Sequence, residues 1–155
     1  MWMLVRPDAV KALEDPGVKK ALSRYVDVVK NHKYAKFLIA GRIEADYDED
    51  ASLQELWQIH NKLVEEYYEI EREIDSGQLS LSDLPQPKKS LLTLKSLIGD
   101  RLLEACVLCE RRCKVNRFSS RNGYCRAPAD MPVSSMFEHL GEEPEIVPSF
   151  TVYSC

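Results

Sequence analysis

Residues 52–77, SLQELWQIHNKLVEEYYEIEREIDSG, decide the fold class. Ser52 followed three residues later by Glu55 is a capping box, in which the hydroxyl accepts from the N3 amide and the carboxylate reaches back to the N-cap amide. Leu53, Leu56, Trp57, His60, Leu63, Val64, Tyr67, Ile70 and Ile74 then recur at the three-and-four spacing of one buried helical face, and Gly77 supplies the stop. His60 on this stripe reads as a scaffold histidine, and Tyr67 with Tyr68 as core and boundary residues, rather than as ligands.

Outward from that helix the chain stays helical on both sides. Toward the N-terminus, the acidic stretch Glu44 to Asp50 reads as an exposed, solvated connection. Asp46, Asp48 and Asp50 alternate as calcium ligands do, but the glycine and the distant bidentate glutamate of such a loop are missing. Further upstream, Asp15 caps a helix with Pro16 at its first position, and Val18, Ala21, Leu22, Tyr25, Val26 and Val29 form its buried face. A shorter helical segment runs from about Pro7 to Glu14. On the other side, Pro85 and Pro87 punctuate a linker, and after Ser90 the residues Leu91, Leu92, Leu94, Leu97, Ile98, Leu102 and Leu103 predict a second long helix. Gly99 weakens that helix by about 1 kcal/mol relative to alanine.

This helix delivers the chain to its chemical centre. Four of the five cysteines, Cys106, Cys109, Cys113 and Cys125, fall in one short stretch, and none precedes Cys106. Cys106 and Cys109, two residues apart, can put both sulfurs on one turn around a single ion, and Cys113 extends that turn. Cys125 returns across a loop containing Ser119, Ser120, Asn122 and Gly123, whose turn chemistry suits a knuckle. The set supplies four soft ligands, enough for tetrahedral zinc or for the corners of an iron-sulfur cluster. With 155 residues and 45% hydrophobic composition, the chain can bury a core without disulfides. No basic segment followed by an apolar one opens the sequence, and no apolar run approaches the roughly 18 residues of a membrane span. A cytoplasmic location is therefore expected, and in a reducing compartment clustered cysteines are metal ligands more often than disulfides.

The net charge of −4 excludes a protein that coats nucleic acid generally. The basic residues are local: Arg111, Arg112, Lys114, Arg117, Arg121 and Arg126 crowd the cysteines. Guanidinium donors there can stabilise an anionic thiolate centre and hydrogen-bond to sulfur. Alternatively they form a phosphate- or RNA-binding knuckle on which Phe118 and Tyr124 stack a base, or a solvated basic loop. No phosphate-cradling glycine loop, serine nucleophile motif or catalytic carboxylate pair is evident, so residues 1–105 read as a scaffold or partner surface.

The segment Cys106-Val-Leu-Cys-Glu-Arg-Arg-Cys-Lys-Val-Asn-Arg117, followed by Gly123-Tyr124-Cys125, resembles the cysteine-rich leader of radical S-adenosylmethionine proteins related to pyruvate formate-lyase activating enzyme. His139-Leu-Gly-Glu-Glu-Pro144 and then Pro148-Ser-Phe-Thr-Val-Tyr153 resemble the approach to the first strand of that family's barrel. The resemblance covers about the last third of the chain. Two departures stand out: Lys114 occupies a position where the family commonly has glycine, and Ser120-Arg121 a position where it has Gly-Glu. In the family the strand runs into a Cys-x3-Cys-x2-Cys loop, whose cluster leaves one iron open to the amino and carboxylate groups of S-adenosylmethionine. That loop would begin just beyond Cys155, or with Cys155 as its first ligand.

Periodicity, cysteine spacing and the resemblance together lead to a mainly α chain in three parts: a helical region (1–105), a four-cysteine metal-binding segment (106–126), and a connector with what resembles the first strand of a barrel not contained here (127–155). The resemblance implies the N-terminal portion of a radical enzyme, binding zinc or an auxiliary iron-sulfur cluster, with the barrel domain or a separate polypeptide carrying it as partner. S-adenosylmethionine would be bound only by a complete protein, and this chain alone is expected to be inactive. The alternative is a free-standing zinc-binding module for protein or RNA interaction. His139, Glu142 and Glu143 read as a turn with exposed or ion-paired acids rather than as metal ligands. No membrane partner is expected, and nucleic acid is the less favoured one.

Overall fold

The structure, a computed structural model, describes residues 2–120 and 122–154. It is mostly helical, with one small two-stranded antiparallel sheet near the C-terminus. The chain forms two compact units, one from the residues up to Lys33 together with those from Met131 onward, the other Tyr34–Asp130. These units cut across the three segments drawn from the sequence, because the cysteine segment belongs with the long helices.

The first unit begins with four short helices: α1 (Trp2–Val5), α2 (Pro7–Ala12), α3 (Pro16–Ala21) and α4 (Ser23–Val29). Asp15 caps α3 as expected, its carboxylate accepting from the Gly17 and Val18 amides at 2.7 and 3.1 Å. The single helix expected through Val29 is instead two. Leu22 leaves the helical region at φ −118° and ψ 34°, and Ser23 restarts the helix. Serine, valine and glycine give this stretch weak intrinsic helicity, so tertiary packing sets where it breaks. Glu14 ties α3 and α4 through ion pairs to Lys19 and Lys30. The unit is completed by β1 (Val133–His139) and β2 (Ser149–Ser154), paired antiparallel with Met136 opposite Val152 and His139 opposite Ser149. β2 covers the segment expected to be a strand, here as half of an antiparallel pair rather than as the first strand of a barrel, whereas β1 had no counterpart in the sequence reading. Met136, Phe137, Phe150 and Val152 are all exposed, so β1 lacks the one-sided apolar alternation that marks a half-buried strand.

The second unit is built on α5 (Lys36–Ala40), α6 (Leu53–Asp75) and α7 (Leu91–Glu104). Both long helices start where their caps predict. Ser52 and Glu55 form the capping box of α6, and Ser90 with Thr93 forms another at the head of α7. Gly77, at φ 75°, takes the left-handed conformation that ends α6. Leu56, Leu63, Tyr67 and Ile74 face the core together with Leu91, Leu94 and Ile98. Trp57, in the same expected stripe, is exposed at the edge, its ring packed edge-on against His60 at 5.0 Å.

The acidic stretch is not the solvated connection expected of it. Ile43, Ala45 and Tyr47 are buried while Glu44, Asp46 and Asp48 point outward, a period-two alternation whose acids masked its buried half. The segment pairs with the residues before α7: the Ala45 amide donates to the Lys89 carbonyl at 3.0 Å, and the Leu91 amide to the Ile43 carbonyl at 2.9 Å. Among the described residues, no helix is long and apolar enough to cross a membrane.

Candidate metal centre

Helix α7 ends at Glu104, and the backbone then folds back on itself around the cysteines. The Cys106 amide donates to the Val115 carbonyl at 3.0 Å and the Lys114 amide to the Cys106 carbonyl at 2.9 Å, closing a loop that holds Cys109 and Cys113. Within it, the Arg112 amide bonds the Cys109 carbonyl at 3.0 Å. The chain to Cys125 is built from side-chain turns. Asn116 Oδ1 accepts from the Phe118 amide and Ser120 Oγ from the Asn122 amide, as the Ser/Asn-rich composition suggested.

Tight turning around sulfur has a conformational cost. Arg112, Lys114 and Arg126 stand at φ 41°, 54° and 53°, the left-handed region that side chains other than glycine rarely occupy. All three flank a cysteine: Arg112 and Lys114 lie on either side of Cys113, and Arg126 follows Cys125. Lys114 is the position where the resembled leader commonly has glycine, the residue that adopts this conformation without strain. Strained backbone of this kind persists only where surrounding interactions over-determine it.

Arg117 organises the centre. It is only 5% exposed, with its amide donating to the Leu103 carbonyl at 2.9 Å and its carbonyl accepting from the Ala129 amide at 3.1 Å. Its guanidinium donates to the Ala127 carbonyl at 2.8 Å and interacts electrostatically with the sulfurs of both Cys106 and Cys125. Gly123 makes this placement possible, because a Cβ there would stand 2.8 to 3.0 Å from the guanidinium atoms. Among the described residues no carboxylate pairs with Arg117.

The two sulfurs that share Arg117 also share a local geometry. The Leu108 amide acts on the Cys106 sulfur, and the Ala127 amide on that of Cys125, in each case from the residue two positions on. The Leu108 amide, and then Arg117, hold the Cys106 thiol below its usual range. The Ala127 amide does the same for Cys125, burial opposing it and Arg117 adding to it. The sulfurs in turn push the Arg117 guanidinium up, that of Cys106 foremost. Paired amide-to-sulfur turns and a guanidinium suit thiolates, because each donor stabilises negative charge on sulfur.

The four cysteines are all free thiols, Cys106 buried, Cys113 partly buried, Cys109 and Cys125 exposed. Cys106 and Cys125 meet at Arg117. Among the described residues, however, no three His, Cys, Asp or Glu side chains stand close enough to share a metal ion, so Cys109 and Cys113 do not complete the set. Of the neighbouring basic residues, Arg111 stacks on the Tyr124 ring at 4.0 Å and Arg121 lies outside the described residues, as does the fifth cysteine, Cys155. Phe118 and Leu108 are exposed. The sequence had placed Arg117 only among the basic residues around sulfur, and its burial and the role of Gly123 had no separate sequence signal.

No family model matches the chain, and no solved structure matches it. A protein of Methanocaldococcus jannaschii, described only as uncharacterised, is 40% identical over 134 residues. The match takes in 86% of this chain and 37% of that protein, so the chain spans little more than a third of its relative's length.

Proposed function

We propose that the chain is the N-terminal portion of a radical S-adenosylmethionine protein related to pyruvate formate-lyase activating enzyme, in which Cys106, Cys109, Cys113 and Cys125 hold zinc or an auxiliary iron-sulfur cluster. The observation that carries the metal reading is Arg117, a buried guanidinium whose available counter-charges are the sulfurs of Cys106 and Cys125. A buried cation without an anionic partner is costly, and neutral thiols are poor partners, so the arrangement favours thiolates. Four thiolates in a reducing cytoplasm are stable when they share a metal. The donor set therefore fits both candidate groups. Bound there, zinc would lock the knuckle, and a cluster would relay electrons.

The chain's own residues do the rest. The Leu108 and Ala127 amides polarise Cys106 and Cys125, Arg117 offsets the charge between them, and the left-handed turns at Arg112, Lys114 and Arg126 bend the backbone beside Cys113 and Cys125. With all four cysteines engaged, no coordination position is left for S-adenosylmethionine. The activity of the whole protein then belongs to a barrel domain following β2, on this chain's polypeptide or a separate one. The segment of β2 is the one that resembles the approach to the family's barrel, and the relative's greater length leaves room for such a domain.

The test has two arms. Coding sequence following Cys155 should carry Cys-x3-Cys-x2-Cys, and a long cysteine-free continuation would contradict the reading. The 155-residue chain, reconstituted with iron and sulfide and reduced with dithionite, should form no 5′-deoxyadenosine above a no-protein control, whereas the whole relative should form it. A second reading, a zinc module that docks protein or RNA, is favoured by the exposure of Leu108, Phe118 and Tyr124 beside Arg111 and Arg112. It requires instead that the 155-residue chain bind its partner without any further domain.

A further inference from the structure

The motif His139-Leu-Gly-Glu-Glu-Pro144 takes no part in the metal centre, yet the first unit holds it with unusual care. His139 ends β1, where it pairs with Ser149 in register and its carbonyl accepts from Ser149 Oγ at 3.2 Å. From the start of α2, Arg6 donates one guanidinium nitrogen to the Leu140 carbonyl and, at 3.1 Å, to the Glu142 carbonyl. Asp8 steadies Arg6 with a 2.7 Å ion pair. A turn fixed from two distant segments holds its side chains in place, which an ordinary solvated turn has no need to do.

The side chains it fixes form a dyad. His139 Nδ1 lies 2.7 Å from Glu142 Oε1, and the Phe137 ring packs edge-on against the imidazole at 5.7 Å. An ionised carboxylate can only accept, so Nδ1 carries the proton and the neutral ring presents its lone pair at Nε2. Among the described residues, no polar group occupies Nε2. Gly141 keeps that side open, since a Cβ there would stand 3.4 Å from Nε2 and 3.6 Å from Cε1. Glycine at this position is not required by backbone conformation, because its φ is not in the left-handed range. Its missing side chain leaves room beside the nitrogen.

We propose that His139 Nε2 is a proton-transfer site, oriented by Glu142 and kept accessible by Gly141, that accepts the proton of an O–H or N–H group on a substrate. In the transfer the X–H bond breaks, its electron pair stays on X, and the proton forms a bond to Nε2. The resulting imidazolium is offset by the Glu142 carboxylate on its other nitrogen. Of the other charged groups at the turn, Glu138 and Glu143 are exposed, and Arg6 is neutralised by Asp8 and directs its donors at backbone carbonyls. The inference stands on the first unit alone and is independent of the metal reading.

Two measurements on the 155-residue chain test it. Nitrogen-15 shifts of the imidazole above neutral pH should show protonated Nδ1 and bare Nε2 for His139; a dominant Nε2–H tautomer overturns the proposal. Acylation by diethyl pyrocarbonate, followed by peptide mass spectrometry, should be faster at His139 than at His32, although the His32 side chain is 67% exposed and that of His139 36%. Glu142→Gln and Gly141→Ala should each slow His139 several-fold and leave His32 unchanged. A rate at His139 no greater than at His32, or one that both substitutions leave unaltered, overturns the assignment.

Discussion

Replacing Gly123 with alanine tests the organisation of the cysteine centre with one methyl group. The added Cβ would lie 2.8 Å from Nη1, 2.9 Å from Nη2 and 3.0 Å from Cζ of Arg117. Ordinary contact begins near 3.4 Å, so the guanidinium must retreat by about 0.6 Å. The arginine stem is long enough to yield, and in yielding it weakens its contacts with the Cys106 and Cys125 sulfurs and with the Ala127 carbonyl at 2.8 Å. Under the proposed metal reading, the cost falls on metal binding rather than on the helices. Loss of a partner that orients and polarises ligands typically lowers metal affinity about 10- to 100-fold. Competition with a chromophoric chelator under anaerobic conditions measures this directly, with circular dichroism confirming that α6 and α7 persist. Gly99→Ala is the control: its Cβ meets nothing within 4 Å, so it should leave affinity unchanged and raise helix stability by about 1 kcal/mol. Wild-type affinity in Gly123→Ala would refute the role given to Arg117.

Three further outcomes are expected. Lys114→Gly should stabilise the apo chain by about 1 kcal/mol in urea unfolding, because it relieves a side chain held at φ 54°; destabilisation would mean that the lysine makes contacts outweighing the strain. Leu56→Ala, at a fully buried position of α6, should cost about 2–5 kcal/mol in the same assay. Glu14 is held down to about 2 from the ordinary 4.5, first by Lys19 and then by Lys30, so its contribution is complete above pH 4.5 and disappears as pH falls through about 2. Glu14→Gln should flatten that part of the stability profile, and high salt should shrink the difference, since the carboxylate is well exposed.

What could be read from the sequence divides along physical lines. The α6 and α7 starts were legible because Ser52, Glu55 and Ser90 act locally, and Gly77 marks the end of α6 for the same reason. The burial of Ile43, Ala45 and Tyr47 was not, because the acids between them outweigh a short strand-like alternation in any composition-based reading. β1 was hidden because both of its faces carry exposed side chains, leaving no periodicity to detect. The cysteines show their clustering by spacing alone. The guanidinium that joins two of them has no such signal, since Arg117 looks like its basic neighbours until the fold buries it beside Gly123. The His139 and Glu142 pairing likewise depends on a turn held by Arg6, far away in sequence.

The central claim is that these four cysteines close around one metal centre. Anaerobic purification of the 155-residue chain, followed by zinc and iron analysis and a visible absorption spectrum, tests it most directly. The account predicts one zinc ion or one cluster per chain, with Cys109→Ser sharply reducing that content. A chain that carries neither metal, or a Cys109→Ser variant that retains the full wild-type stoichiometry, would contradict it.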